Sequence, residues 1–226
     1  MPACLAMNKG HRKCGVMKTG LVSYQYGLTL QDKAKLLVTS GEWDGIIILL
    51  QHLPVITVGN SGGKENFRFD PQELESSGIQ IVHADRGGNI TCHNPGQLVG
   101  YPVLDLNKWC KDVHWYVQML EETLIQTLAE YGLKSGRKAR YSGVWVEDEK
   151  IAALGVSVRR WLTRHGFALN VDNDLNMFDA VVPCGITEFG VTSIHALGFA
   201  AAMEQVIDTY LNKFSEVFQC ELTFMR

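Results

Sequence analysis

Apolar residues recur along this chain with two different periods, and the periods set the first picture of the fold. Residues 46–51 and 55–58 are short runs dominated by Ile, Leu and Val, parted by His52, Leu53 and Pro54. Runs of that length and β-branched content predict buried strands. Residues 28–39 predict a helix and 79–83 another short strand. The clearest helix is 109–131, where Val113, Val117, Leu120, Leu124, Leu128 and Tyr131 return every three or four positions and Gly132 supplies a stop. Segments 143–147 and 150–158 predict a β-hairpin turning through Glu147, Asp148 and Glu149, and 167–171 a further strand. Residues 201–218 predict an amphipathic helix with Met203, Ile207, Tyr210, Phe214 and Phe218 on one face. Strands and helices are intermixed, so the fold class is α/β or α+β, a mixed β-sheet with flanking helices. The pattern leaves strand order open.

Composition changes this picture little. The 226 residues suit one domain, and 46% hydrophobic with 20% charged residues is ordinary for a globular chain. A formal charge of −3 gives no general reason to expect nucleic acid or an anionic membrane as partner. The longest apolar runs fall far short of the ~20 residues needed to span a bilayer. Six cysteines are scattered without a C-x-x-C pair, so neither a zinc knuckle nor a dithiol redox motif is indicated and no metal is expected. They read as reduced thiols in a reducing compartment: the cytoplasm, or an organellar matrix or stroma if the source is eukaryotic. No acidic residue precedes Asp32, while Lys9, Arg12, Lys13 and Lys18 do. Residues 1–19 therefore read as a flexible basic tail ahead of a single domain over 20–226. The tail lacks the apolar stretch of a secretory signal.

Several common chemistries lose weight. There is no G-x-x-x-x-G-K-[ST] phosphate loop and no H-E-x-x-H helix. Gly155, Val156, Ser157, Val158 and Arg159 fail the serine-nucleophile elbow because Arg stands at the second glycine. What remains is Cys184, between Pro183 and Gly185. Proline fixes its own φ and glycine permits positive φ, so this thiol belongs to a turn that can present sulfur to a substrate. A lone cysteine is more often a buried inert thiol, and Lys150 alone is more often a solvated hairpin lysine. A cation near the thiol would favour the reactive thiolate. The third feature is the glycine-rich block 86–97, where a backbone free of side chains lets a ligand approach.

These blocks resemble the lipoyl(octanoyl) transferases, also called octanoyl-[acyl-carrier-protein]–protein octanoyltransferases. Their R-G-G-x-x-T-x-H-G-P-G-Q is similar to 86–97, and their L-x-x-Y-P-[IV]-L-D-L to 98–106. Their G-V-W-V and K-I-A-A-[IL]-G-V are similar to 143–146 and 150–156, their H-G-[FL]-A-L-N-[IV] to 165–171, and their [IV]-P-C-G-I to 182–186. The likeness runs in order from about residue 20 to 195. It implies the biotin/lipoate ligase-like catalytic domain, an acyltransferase, Cys184 as the acyl-accepting nucleophile and Lys150 as its activator. It also implies three walls of an acyl pocket: Arg86, Gly87, Gly88, Asn89, Ile90, Thr91, Cys92 and His93; Ala153, Leu154 and Gly155; Gly166, Phe167 and Ala168. No cofactor is implied. The implied donor is octanoyl-acyl carrier protein. The implied acceptors are lipoyl domains of 2-oxoacid dehydrogenase complexes and the glycine cleavage H protein, and the enzyme is expected as a monomer. Two positions depart from the pattern. Asn94 stands for the usual Gly, though Asn tolerates a left-handed backbone best among other residues. Cys92 stands where Tyr is common, which puts a second thiol in the block.

Two other readings compete. A lipoate–protein ligase of the same fold would use ATP and need no cysteine nucleophile, and a silent acyl-binding module would need neither Cys184 nor Lys150. Basic residues at Lys134, Arg137, Lys138 and Arg140, and at Arg159, Arg160 and Arg164, are ordinary solvated charge or a rim that steers an acidic carrier protein.

Overall fold

The computed structural model describes residues 12–182 and 189–225. Its elements in chain order are β1 (Arg12–Val22), α1 (Tyr24–Thr39), β2 (Gly45–His52), β3 (Val55–Val58), α2 (Pro71–Ser76), β4 (Gln80–His83), β5 (Ile90–His93) and β6 (Gln97–Leu104). They continue with α3 (Val113–Ala129), β7 (Gly136–Lys138), β8 (Tyr141–Val146), β9 (Glu149–Arg159), β10 (Leu162–Asn170), β11 (Gly190–Val191), α4 (Met203–Phe218) and β12 (Cys220–Phe224). The main sheet runs β12-β1-β2-β6-β10-β9-β8-β7, with β11 added beside the start of β9. A second sheet is β4-β3-β5. β1 runs parallel to β2 and β12, while β2–β6, β6–β10 and β10–β9 are antiparallel, so the sheet is mixed.

The unbroken apolar run of β2 is explained by helices on both faces. Ile46, Ile48 and Leu50 pack with Leu30, Ala34 and Val38 of α1. Ile47 and Leu49 point the other way, into a core with Leu120 and Leu124 of α3 and Phe214 and Phe218 of α4. Period-two alternation with both faces buried leaves no polar position between Ile46 and Leu50.

Several expectations are corrected in detail. Residues 12–19, expected in a flexible tail, belong to β1, with Cys14 and Val16 buried; residues 1–11 lie outside the described residues. α3 begins at Val113 rather than near 109 because the Asp112 carboxylate accepts from the N–H groups of His114 (2.8 Å) and Trp115 (3.2 Å), an N-cap that satisfies otherwise orphaned donors. The strand expected at 167–171 is the second half of β10, which starts at Leu162. It follows β9 through Arg160 and Trp161, both at positive φ (53° and 65°), the geometry of a two-residue hairpin turn. Cys14, Cys92 and Cys220 are buried free thiols. Cys110 is disulfide-bonded, a departure from the all-thiol expectation. Among the described residues no helix is long and apolar enough to cross a membrane.

Candidate active site

A narrow cavity of about 60 Å³ opens between β9 and β10 of the main sheet and β5 with the loop before it. Volume of that kind has room for only about four to six waters, so the cavity is a slot. Its walls come from three separate stretches: Arg86, Gly88, Ile90, Thr91 and His93; Ala153, Leu154 and Gly155; and His165, Gly166, Phe167 and Ala168. The register explains how two of them meet, because Gly155 pairs with Gly166, Leu154 with Phe167 and Ala153 with Ala168 across the β9–β10 hairpin. Glycine at 166 is forced by packing, since a Cβ there would stand 2.1 Å from the Gly100 carbonyl oxygen of β6.

Three residues of the 86–93 block turn away from the slot. Gly87 instead ties the loop to β9 through its N–H and the Val156 carbonyl (2.9 Å). The Asn89 side chain accepts from its neighbour's backbone, Ile90 N (2.6 Å), and from Asn66 Nδ2 (2.9 Å). The Cys92 thiol lies 3.5 Å from the Met177 carbonyl in an apolar cluster with Ile56 and Phe178. Burial pushes the Cys92 thiol up to about 12, so it is an inert thiol. Tyr24, Tyr101, Ser142 and His165 line the slot and were not anticipated.

Arg86 is anchored by protein groups. Its Nη2 donates to Thr57 O (2.6 Å) and Thr57 Oγ1 (2.8 Å), and its Nη1 to Gly87 O (3.0 Å). Gly59 and Gly155 leave the space its side chain fills, since a Cβ at either position would meet Arg86 at 2.8 Å and 3.0 Å. The guanidinium thus ties the small sheet to the loop and to the edge of β9.

The inner end of the slot is polar. His52 Nδ1 lies 3.2 Å from Val22 O and Nε2 2.7 Å from Tyr101 Oη. A carbonyl can only accept, so Nδ1–H donates to it and the tyrosine hydroxyl donates to Nε2. Desolvation holds His52 neutral, with its pKa down to about 4. His93 Nδ1 donates to Gln97 Oε1 (2.7 Å); Gln97 Nε2 donates to Cys92 O (3.2 Å) and Asn170 Oδ1 (2.9 Å). Asn170 Nδ2 donates to Thr192 O (2.9 Å), and Thr192 N–H donates to Lys150 O (3.0 Å). A chain of hydrogen bonds therefore runs from the slot to the backbone of Lys150. Burial comes first in lowering His93 to about 3, with the nearby His52 adding to it, which fixes its Nε2 as a bare acceptor.

Lys150 begins the inward stretch of β9 and is buried. Its Nζ lies 4.7 Å from the centroid of the Trp145 ring, a cation–π contact. Gly143, at φ 127°, makes room for the lysine stem, because a Cβ there would lie 3.3 Å from Lys150 Cε and 2.7 Å from Ala152 O. Cys184 lies outside the described residues. On its two sides, Val182 N–H donates to Asn66 O (2.7 Å), and β11 pairs Val191 with Lys150.

The basic clusters divide. Arg137 Nε is 2.9 Å from the buried carboxylate of Glu121 and its Nη2 is 2.9 Å from Glu122, while Lys138 pairs with Asp148. Glu121 in turn accepts from Gly143 N (3.0 Å). Arg137 thus ties β7 to α3, Glu121 ties α3 to β8, and Lys138 reaches the turn between β8 and β9, so Arg137 and Lys138 both have acidic partners within the fold. Arg159, Arg160 and Arg164 line a separate groove of about 470 Å³ between α1 and the β9–β10 hairpin.

The family model for the lipoyl protein ligase A/B catalytic domain matches residues 23–215. An octanoyltransferase of Thermoanaerobacter sp. (strain X514) is 53% identical over 208 residues, covering 92% of this chain and 91% of that one. An octanoyltransferase of Clostridium kluyveri is 48% identical, covering 93% and 91%. Among solved structures, a chain from a bi-partite lipoate protein ligase and its E2 lipoyl domain of Thermoplasma acidophilum superimposes with TM-score 0.74 at 18% identity, covering 96% of this chain and 88% of that one. A biotin protein ligase of Aquifex aeolicus gives TM-score 0.51 at 13% identity over 91% and 69%. At those identities the structural likeness speaks for fold alone, the biotin/lipoate ligase-like one. The chain belongs to the lipoyl protein ligase A/B catalytic domain family and, within it, is an acyltransferase of the octanoyltransferase group.

Proposed function

We propose that the enzyme moves an octanoyl group from octanoyl-acyl carrier protein to the lysine of a lipoyl domain through a thioester on Cys184. The acceptors are lipoyl domains of 2-oxoacid dehydrogenase complexes and the glycine cleavage H protein. In the first half-reaction the Cys184 thiolate attacks the donor thioester carbonyl, the tetrahedral intermediate collapses, and the carrier thiolate leaves and takes a proton. In the second, the acceptor amine attacks the enzyme thioester, loses a proton, and an amide forms as the Cys184 thiolate departs. Both steps spend the energy of a thioester already made, so neither calls for ATP. The single observation carrying this reading is the buried Lys150 beside Trp145, three residues before the slot wall Ala153–Gly155 on β9, with β11 paired to Lys150 just after the Cys184 segment.

Electrostatic activation of sulfur supplies only part of the rate. A free cysteine near 8.5 is about 3% thiolate at pH 7, and a pKa lower by ~2 units gives about 25-fold more. With a Brønsted slope of ~0.4–0.5, nucleophilicity falls about 6- to 10-fold, leaving a net gain of about 2.5- to 4-fold. Lys150 therefore also serves proton transfer in the second step. Backbone N–H groups of the glycine-rich walls carry the oxyanion, a contribution of ~10²–10³ in rate per donor.

Intact-mass spectrometry of the protein mixed with octanoyl-acyl carrier protein tests the scheme. The octanoyl adduct is expected on wild type and on Cys92→Ala, and absent from Cys184→Ala. An adduct mapped to Cys92, or transfer that requires ATP, would refute it.

A further inference from the structure

The acyl slot and the 470 Å³ groove approach each other at His165 and its partner Asp85. His165 lines the slot, while Thr163, Arg164 and Asp85 line the groove. The imidazole meets the Tyr101 ring edge-on at 6.1 Å, and its Nε2 lies 2.7 Å from Asp85 Oδ1. The His165 side chain is 2% exposed, whereas that of Asp85 is 65% exposed. One side of the ring thus closes the slot, and its polar edge is turned outward to the carboxylate. Two further restraints hold it. The His165 backbone sits at φ 58°, in the left-handed region that few non-glycine residues occupy, and its N–H donates to Gln31 Oε1 of α1 at 2.8 Å.

The position along the hairpin sets a length. Ala153, Leu154 and Gly155 are three residues of extended strand, about 10 Å at ~3.3 Å each. An octanoyl chain advances about 1.25 Å over each of its seven carbon–carbon bonds, about 9 Å in all. The next residue, Val156, pairs with His165. Behind the ring, Val38, Val103 and Leu162 give the groove apolar surface.

We propose that His165, clamped by Asp85 and Gln31, is the end stop of the acyl slot and restricts the enzyme to chains of about eight carbons. The inference rests on the octanoyl-transfer reading, with the acyl carbonyl at the Lys150 end of the slot. The groove behind the imidazole is the room a longer chain takes when the stop is removed.

The test compares kcat/KM for octanoyl, decanoyl and dodecanoyl thioesters of acyl carrier protein. His165→Gly removes the wall while suiting the positive φ. His165→Asn also tolerates that backbone but leaves a smaller stop. Asp85→Ala keeps the ring and frees it to swing. The decanoyl-to-octanoyl ratio is expected to rise at least about tenfold in His165→Gly, the scale on which pockets sort methylene groups. It should rise less, in the same direction, in His165→Asn and Asp85→Ala. Should the glycine variant not fold, those two carry the same comparison. Ratios unchanged in the variants that fold, or an equal loss on every chain length, would overturn the end stop and leave the transferase reading standing. Failure of wild type to accept octanoyl from the carrier thioester would instead sink the transferase reading beneath it.

Discussion

Arg86 occupies the position in the glycine-rich block where a ligand contact was expected, yet its guanidinium donates to Thr57 O, Thr57 Oγ1 and Gly87 O of the protein itself. Arg86→Ala would strip the donor from Thr57 O, held at 2.6 Å, and from Gly87 O, held at 3.0 Å, in a region where the guanidinium itself is buried. A buried acceptor left unmet costs about 1–3 kcal/mol, and both carbonyls are taken at the middle of that range. Two such groups come to about 4 kcal/mol. For a chain of this length each kcal/mol moves the melting point by roughly 2–4 °C, so Tm should fall by roughly 8–16 °C. The assay is thermal unfolding followed by circular dichroism, run beside kcat/KM for octanoyl transfer below the variant's Tm. Arg86→Lys keeps the charge but loses the planar fork and should recover less than half of the lost Tm. If Arg86→Ala melted within about 2 °C of wild type while kcat/KM fell a hundredfold, the strut argument would be wrong and Arg86 would be a ligand contact.

Lys150→Arg should restore thiolate formation at Cys184, read as the pH dependence of alkylation, better than it restores turnover, because arginine does not release a proton; full turnover in that variant would leave only a charge role. Arg137→Glu should lower Tm and reduce transfer from carrier-bound and small octanoyl thioesters alike, since it opposes the buried Glu121 carboxylate; a loss confined to the carrier-bound donor would return that residue to docking. Arg159→Glu with Arg160→Glu should raise KM only for the carrier-bound donor and only at low salt, the Debye length being ~8 Å at physiological ionic strength. His52 and His93 are neutral when folded, near about 4 and about 3, against about 6.5 unfolded. Their contribution is complete above pH 6.5 and shrinks on acidification by up to about 1.4 kcal/mol per unit per histidine, down to about pH 4 and pH 3. Tm against pH should show that slope and flatten in His52→Gln, and an unchanged slope there would contradict the assignment.

The strong periodicities were legible. β2, α3 and α4 bury whole faces, so their apolar positions repeat without interruption. β1 was not legible, because beyond Val16 it is half exposed and its lysines read as tail. β6 was hidden by Gly100 and Pro102, residues that usually argue against a central strand. Gly100 is there because the Phe167 ring lies where its Cβ would be, at 2.1 Å. The Pro102 carbonyl is used by Thr163 Oγ1 (2.7 Å) and Tyr116 Oη (3.1 Å). At the site, contiguous blocks showed the slot walls, since hairpin register carries 153–155 onto 166–168. The ring cluster of Tyr24, His52, His93 and Tyr101 draws on α1, β2, β5 and β6, and no period within one stretch reveals such a meeting. His165 had a visible signal in its own motif, a bulky residue followed by glycine where the strand kinks.

The strand order has a consequence for how the protein is made. β1 takes one neighbour, β12, from the other end of the described chain, and the slot's wall strand β10 pairs with β6 across all of α3 and β7–β9. Pairings between such distant segments put the chain among slow folders, because loop closure must precede any reward from contact. During synthesis β2, apolar on both faces, emerges well before β6 exists to cover its edge. A ribosome-bound fragment ending before residue 97 therefore exposes an aggregation-prone strand, and one ending before residue 162 lacks the β10 wall of the slot. Yield of active enzyme in a foreign host should thus respond to translation speed and chaperone supply more than to changes on the finished surface.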